Sequence, residues 1–134
     1  MSEQLRLIGH EPDDVPVISA LMQDAAVRVD DIAFDARARR FALVANRYCW
    51  ERDVPTRVRS ALRIECVTRA QRKGWPADGN AVLELLAIRP EADGLTLDFA
   101  GGASVRLEAE CVDIHLEDLS GPWGTKVVPT HPVD

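Results

Sequence analysis

Val82 to Leu119 reads as three consecutive strands joined by tight turns, and no other feature restricts the fold as much. Val82–Ile88 is almost wholly apolar, with Glu84 its one charge. Asp93-Gly94 follows, a dipeptide suited to the positive φ of a hairpin turn. Leu95, Leu97 and Phe99 then alternate with Thr96 and Asp98. After Gly101-Gly102, Val105, Leu107 and Ala109 alternate with Arg106, Glu108 and Glu110. A period of two puts the apolar groups on one face, so the three strands need a core beneath them. The last run changes phase at Cys111-Val112, which a bulge or a strand bending between two sheets would produce.

The remainder predicts one helix and further strands. Leu5–Ile8 is a short strand. Asp13 is placed to cap a helix over which Val15, Ile18, Leu21, Met22 and Ala25 form one apolar stripe, ending near Asp24 or Ala25. Pro16 is tolerated in its first turn, where backbone N–H groups lack intrahelical partners. The helix serves as a lid on the sheet. Val27 and Val29 alternate, Asp30-Asp31 interrupts as a turn or bulge, and Ile32 and Phe34 resume. Phe41, Leu43 and Ala45 face one way. Tyr48 and Trp50 continue in the opposite phase, which predicts a bulge near Asn46-Arg47. Val58, Leu62, Ile64 and Cys66 line the inner face of the next strand, with Arg57, Arg59, Arg63 and Glu65 on its outer face. Arg69–Asn80 is polar, contains Gly74-Trp75-Pro76, and reads as a surface loop.

The chain of 134 residues fits a single domain with its core at 5–119 and an extended tail at 120–134. No run approaches a membrane span, and the acidic N-terminus lacks the apolar segment of a secretory signal. Cys49, Cys66 and Cys111 are odd in number and widely spaced, which fits reduced thiols in a cytoplasm. Net charge is −6, but unevenly laid out. Residues 1–36 carry eight acids and two basic groups, residues 37–73 three acids and eleven basic groups, and residues 74–134 eleven acids and three basic groups. Two readings follow for the basic segment: cross-strand pairing with acidic neighbours, or a face that meets an anion, a nucleic acid or an acidic partner. The acidic total disfavours nucleic acid by bulk attraction.

No constellation for catalysis stands out. His10, His115 and His131 are the only histidines. Cys111 and His115 would lie about 13 Å apart on one face of a strand, and Cys111 reads as a small core residue. There is no Cys-x-x-Cys, no His-x-x-x-His, no nucleophile elbow and no phosphate loop. Glu84 reads as outward-facing. Trp75 and Trp123 stand among Gly and Pro, where a tryptophan either pins a loop or presents a binding surface.

Three segments together resemble a known bacterial family, the domain of unknown function 2948: Asp14–Ala25 (DVPVISALMQDA), Arg39–Glu51 (RRFALVANRYCWE) and Leu97–Leu116 (LDFAGGASVRLEAECVDIHL). The resemblance covers Leu5 to Pro132. It implies an alphaproteobacterial cytoplasmic protein whose gene often lies near those for histidinol dehydrogenase and cell-wall precursor synthesis. It brings no catalytic residue.

The expected fold is α+β, mostly antiparallel β: a bent sheet of six or seven strands, closed or nearly closed into a small barrel, with one N-terminal helix. A two-sheet sandwich is the alternative. The expected function is a non-enzymatic interaction or adaptor domain, with a protein partner or a homodimer and without cofactor or metal. The alternative is an anion- or nucleic-acid-binding module using 37–73. The candidate binding surface is Arg57, Arg59, Arg63, Trp75 and Trp123.

Overall fold

A computed structural model describes residues 4–119 and 123–124. In chain order these form β1 (Arg6–Gly9), α1 (Val15–Met22), β2 (Ala26–Arg28), β3 (Ile32–Asp35), β4 (Arg40–Tyr48), β5 (Thr56–Ile64), β6 (Val67–Lys73), β7 (Val82–Glu91), β8 (Gly94–Phe99), β9 (Ser104–Ala109), β10 (Ile114–Asp118) and β11 (Trp123–Gly124). The hydrogen-bonded order is β1-β10-β5-β4-β2-β7-β8-β9-β6, with β3 added beside β4 and β11 beside β5. Every pairing is antiparallel. The protein is therefore α+β and mostly antiparallel β, as expected.

The expected strand count and closure are corrected. Among the described residues there are eleven strands rather than six or seven, and the sheet is open, because its terminal strands β1 and β6 do not pair. Part of the surplus comes from a 3-10 turn at Val29–Asp31 that divides β2 from β3. Part comes from β6, which occupies sequence read as the loop 69–80. Along β6 only Val67 is fully buried and Ala70 partly so. An edge strand with polar side chains on most positions lacks the alternation that marks a half-buried strand, and such polarity protects an edge from chance pairing.

The expected three-strand unit is present with two shifts. β7 and β8 pair through Glu91↔Gly94, so the hairpin turns at Ala92-Asp93 rather than Asp93-Gly94. Gly94 opens β8 instead, and a Cβ there would collide with the Leu107 carbonyl oxygen. β8 and β9 pair across Gly101-Gly102, both at positive φ. The phase change at Cys111-Val112 separates two strands: β9 pairs with β8 and β6, whereas β10 pairs with β5 and β1. The chain crosses there from one half of the bent sheet to the other.

The bulge expected near Asn46-Arg47 is absent. β4 and β5 keep one register from Phe41↔Ile64 to Tyr48↔Arg57. The inward alternation of Phe41, Leu43 and Ala45 simply continues into Arg47, which is fully buried. Tyr48 is buried on the outer face, where the Trp50 ring meets it edge-on at 4.6 Å and the Arg57 guanidinium lies 5.7 Å from its centre.

The core gathers Phe41, Leu43, Leu62, Ile64, Leu85, Leu97, Leu107, Ile114 and Leu116 from the sheet with Val15, Ile18 and Met22 of α1. Helix capping differs in detail. The Asp13 cap is not formed: α1 has no side-chain cap, and Asp14 instead accepts the His10 and Glu11 amides ahead of the helix, each at 3.0 Å. The helix ends at Met22, and Asp24 adopts φ +64. Ser19 Oγ accepts the Ile88 amide at 2.9 Å, fixing the helix to β7. Cys66 is likewise not an inner-face residue. It sits half-buried at φ +62 in the corner between β5 and β6. Cys111 is exposed rather than in the core. The tail beyond Leu119 lies outside the described residues except for β11.

Candidate functional site

The opening of the sheet makes a cleft. β3 and β6 face one another across the gap without pairing. One end is closed where the Val67 amide donates to the Arg39 carbonyl at 3.0 Å. The other is closed by the segment after β6: Val29 N donates to Ala81 O and Asp30 N to Gly79 O, each at 2.9 Å. Between these closures lies a cavity of about 240 Å³ lined by Ile32, Phe34, Phe41, Ala70, Arg72, Trp75 and Val105. Phe41 and Val105 are buried and form its floor. Ala70 and Arg72 are two apart on β6 and both line the cavity, as the pleat requires.

Trp75 is locked at the rim. Its Nε1 donates to the Ser104 carbonyl at 2.8 Å, and its ring meets Phe99 edge-on at 5.9 Å. Gly74 permits this return toward β9: it has φ +69, and a Cβ there would lie 2.8 Å from the Gly102 carbonyl oxygen. The Arg72 guanidinium lies 5.7 Å from the centre of the Trp75 ring. Arg72 makes no ion pair among the described residues; neither do Arg69 and Lys73 on the same strand. The site thus offers an apolar trough, an aromatic wall and an uncompensated cation.

The sequence-selected arginines lie elsewhere, on the outer face of β5. Arg57 donates from Nη1 to the Asn46 carbonyl at 3.1 Å and covers Tyr48. Arg59 stands 4.0 Å from Asp31, and Arg63 stands 3.9 Å from Glu65. A second concavity of about 360 Å³ opens beside Arg59, lined also by Arg28, Asp31 and Asn46. Its Arg28 is held by Asp31 at 3.2 Å and Asn80 at 3.3 Å. Of the two tryptophans, Trp75 both pins its loop and walls the cleft. Trp123 pairs through its backbone with Arg57. Glu84 is exposed.

Two groupings escaped the sequence reading. The first surrounds Arg47. Its Nη1 and Nη2 donate to the two Glu51 carboxylate oxygens, each at 2.9 Å, and its Nε donates to Ser60 Oγ at 3.3 Å. Ser60 Oγ in turn donates to Asp118 at 2.7 Å. Burial lowers the pKa of the guanidinium, and the Glu51 hydrogen bond with the Asp118 charge more than restores it, so the net shift is upward. The sequence signal was available: Arg47 stands in phase with Phe41, Leu43 and Ala45. The second grouping is Cys66 with Cys111. The Glu110 amide donates to the Cys66 carbonyl at 3.1 Å, bringing the two thiols together. Hydrogen bonding with Cys111, then burial, pushes the Cys66 thiol up to about 11. Nothing in a spacing of 45 residues announced this neighbourhood.

These features define a class: a small α+β domain with an open, bent antiparallel sheet and an apolar cleft in the opening. The chain belongs to the family described as protein of unknown function (DUF2948), which matches residues 5–131. No curated protein and no solved structure matches it. Among the described residues, no helix is long and apolar enough to cross a membrane.

Proposed function

We propose that this chain is a non-enzymatic interaction domain that receives a partner at the opening between β3 and β6. One observation carries the reading: two strands that do not pair with one another flank an apolar cavity. Unpaired strand edges offer N–H and C=O groups to an incoming strand, and the cavity offers burial for its side chains. A cytoplasmic setting agrees with the three thiols, and a homodimer is one form such an interaction takes.

A second reading, an anion-binding module within residues 37–73, draws support from Arg69, Arg72 and Lys73, which make no ion pair among the described residues. It differs from the first in needing no apolar cavity.

The test is selection of peptides from a displayed random library against the folded protein. Ala70→Trp, which fills the cavity from β6, serves as one comparison, and Arg63→Ala on the far face as another. Peptides that bind wild type and Arg63→Ala but not Ala70→Trp support the reading. Enrichment indifferent to Ala70→Trp would refute it.

A further inference from the structure

We infer that the partner is an extended acidic peptide that adds to β6, placing one bulky apolar side chain in the cavity and a carboxylate on Arg72. This rests on the reading of the β3–β6 opening as a partner site, and adds the chemistry of what enters it.

Size comes first. A cavity of about 240 Å³ falls below the roughly 300–1,000 Å³ typical of small-molecule sites. It suits a large side chain better than a whole ligand. Shape agrees, because strand edges form its long sides. An added strand presents every second side chain to the same face.

Register makes the inference specific. Ala70 is the small residue that leaves room at the cavity, and Arg72 follows two positions later on the same face of β6. Two strand positions span about 7 Å. An apolar anchor opposite Ala70 therefore sets the side chain two positions away opposite Arg72. The recognised element is an apolar residue and an Asp or Glu separated by one residue, in whichever order the strand direction dictates.

Charge selects the acid. The Trp75 ring takes one face of the Arg72 guanidinium and leaves its N–H edge for a carboxylate. Arg69 and Lys73, on alternate positions from Ala70 and Arg72, add positive potential along the same strand. Two of the acids across the opening are already engaged. Asp31 faces Arg28 and Arg59, and Asp35 accepts the amides of Arg37 and Ala38, each at 3.1 Å.

The experiment measures fluorescence anisotropy of short labelled peptides with the full chain in about 50 mM salt, where surface charge is only partly screened. The probes carry Leu-x-Asp, Leu-x-Lys and Ala-x-Asp in both orders, plus a Leu-x-Asp peptide N-methylated at alternate amides. The proteins are wild type, Arg72→Glu and Ala70→Trp, each checked by circular dichroism and urea unfolding. Wild type should prefer a Leu-x-Asp probe over the Leu-x-Lys and Ala-x-Asp probes by about tenfold. Arg72→Glu should reverse the preference toward Leu-x-Lys, a gain that a misfolded variant would not give. N-methylation should remove binding. If wild type binds acidic and basic probes alike, or ignores N-methylation, the inference fails. The partner site survives that failure when Ala70→Trp still abolishes binding. Binding of no probe, with displayed peptides also indifferent to Ala70→Trp, removes the inference and the reading beneath it. A dimer in sedimentation velocity that Arg72→Glu dissociates would name a second copy of this chain as occupant and overturn the peptide.

Discussion

Arg47 donates from Nη2 to both carboxylate oxygens of Asp118 at 3.2 Å, and the two side chains are 0% and 5% exposed. Asp118 also accepts the Leu5 amide at 3.0 Å, so the pair joins β4, β10 and the segment entering β1. Ser60 adds β5. Charges taken from water contribute little net stability when paired, but leaving one unpaired is costly. Asp118→Ala leaves Arg47 paired with Glu51 but strips the Leu5 amide and the Ser60 hydroxyl of their acceptor, and should cost about 1–3 kcal/mol in urea unfolding. The double change Arg47→Met with Asp118→Leu should cost less than the two single changes together. Losses that simply add in the double variant would show that the two residues do not act as a pair.

Glu51 gives the same network a pH signature. Burial raises its carboxyl pKa, but the hydrogen bond and charge of Arg47 prevail, so it lies below its ordinary value. A depressed pKa means that the unfolded chain binds the proton more readily. The stabilisation is present above the unfolded value of about 4.3 and is lost as pH falls through the lower folded value. Glu51→Gln should flatten the fall of the urea midpoint over that acid range while changing its slope little near neutrality. An unchanged acid slope would count against the contact.

The helix supplies a third expectation. Met22 is fully buried, whereas Leu21 is only partly so and Val17 is 57% exposed. Met22→Ala should cost about 2–5 kcal/mol, as for other large-to-small core changes. Val17→Ala should be nearly silent, with Leu21→Ala between them. The order is read from urea midpoints, and equal losses at Met22 and Val17 would mean that the buried face is wrongly assigned.

What the sequence disclosed follows burial. Val82–Phe99, Val105–Ala109 and α1 each set one apolar face against the core, and each was legible. β6 was not, because an edge strand that buries little carries no period. Closure was misjudged for a related reason: alternation reports which face of a strand is buried and says nothing about which edges pair. The cleft depends on the edges of β3 and β6, so of its lining only Trp75 stands out in the sequence as a binding candidate. Arg47 was hidden by the assumption that a charge marks an outward position. The Cys66–Cys111 neighbourhood depends on β6 pairing with β9, and could not be seen once β6 was read as a loop.

The thiols should separate by rate. Cys111 is exposed, Cys66 half-buried and Cys49 buried. Thiolate is the reactive form, and the Cys66 thiol, pushed from 9.0 to about 11, supplies little of it near neutrality. Labelling with a maleimide followed by mass spectrometry should modify Cys111 first, Cys66 later and Cys49 only on unfolding. Cys111→Ala removes the largest cause of the shift and should quicken Cys66. The raised value has a stability counterpart. Between 9.0 and about 11 the folded thiol holds a proton that the unfolded one has lost, so the contribution is complete below 9.0 and declines as pH rises through the folded value. A Cys66 that outpaces Cys111 would contradict the assignment.

The β5 arginines are not expected to hold an anionic partner. Arg57, Arg59 and Arg63 share the outer face of β5, but each is directed at something the protein provides: the Asn46 carbonyl and Tyr48 ring, Asp31, and Glu65. Exposed pairs of this kind are worth about 0–1 kcal/mol each. A phosphate backbone would have to compete with those partners and approach a molecule of net charge −6. Fluorescent single-stranded and duplex oligonucleotides in about 50 mM salt should therefore bind neither wild type nor the Arg57→Ala/Arg59→Ala/Arg63→Ala variant, since the Debye length there still exceeds 10 Å and attraction would be visible. The triple variant should lose little stability in urea. Micromolar binding by wild type that falls steeply with salt, and vanishes in a folded triple variant, would reverse the choice in favour of an anion-binding module on β5.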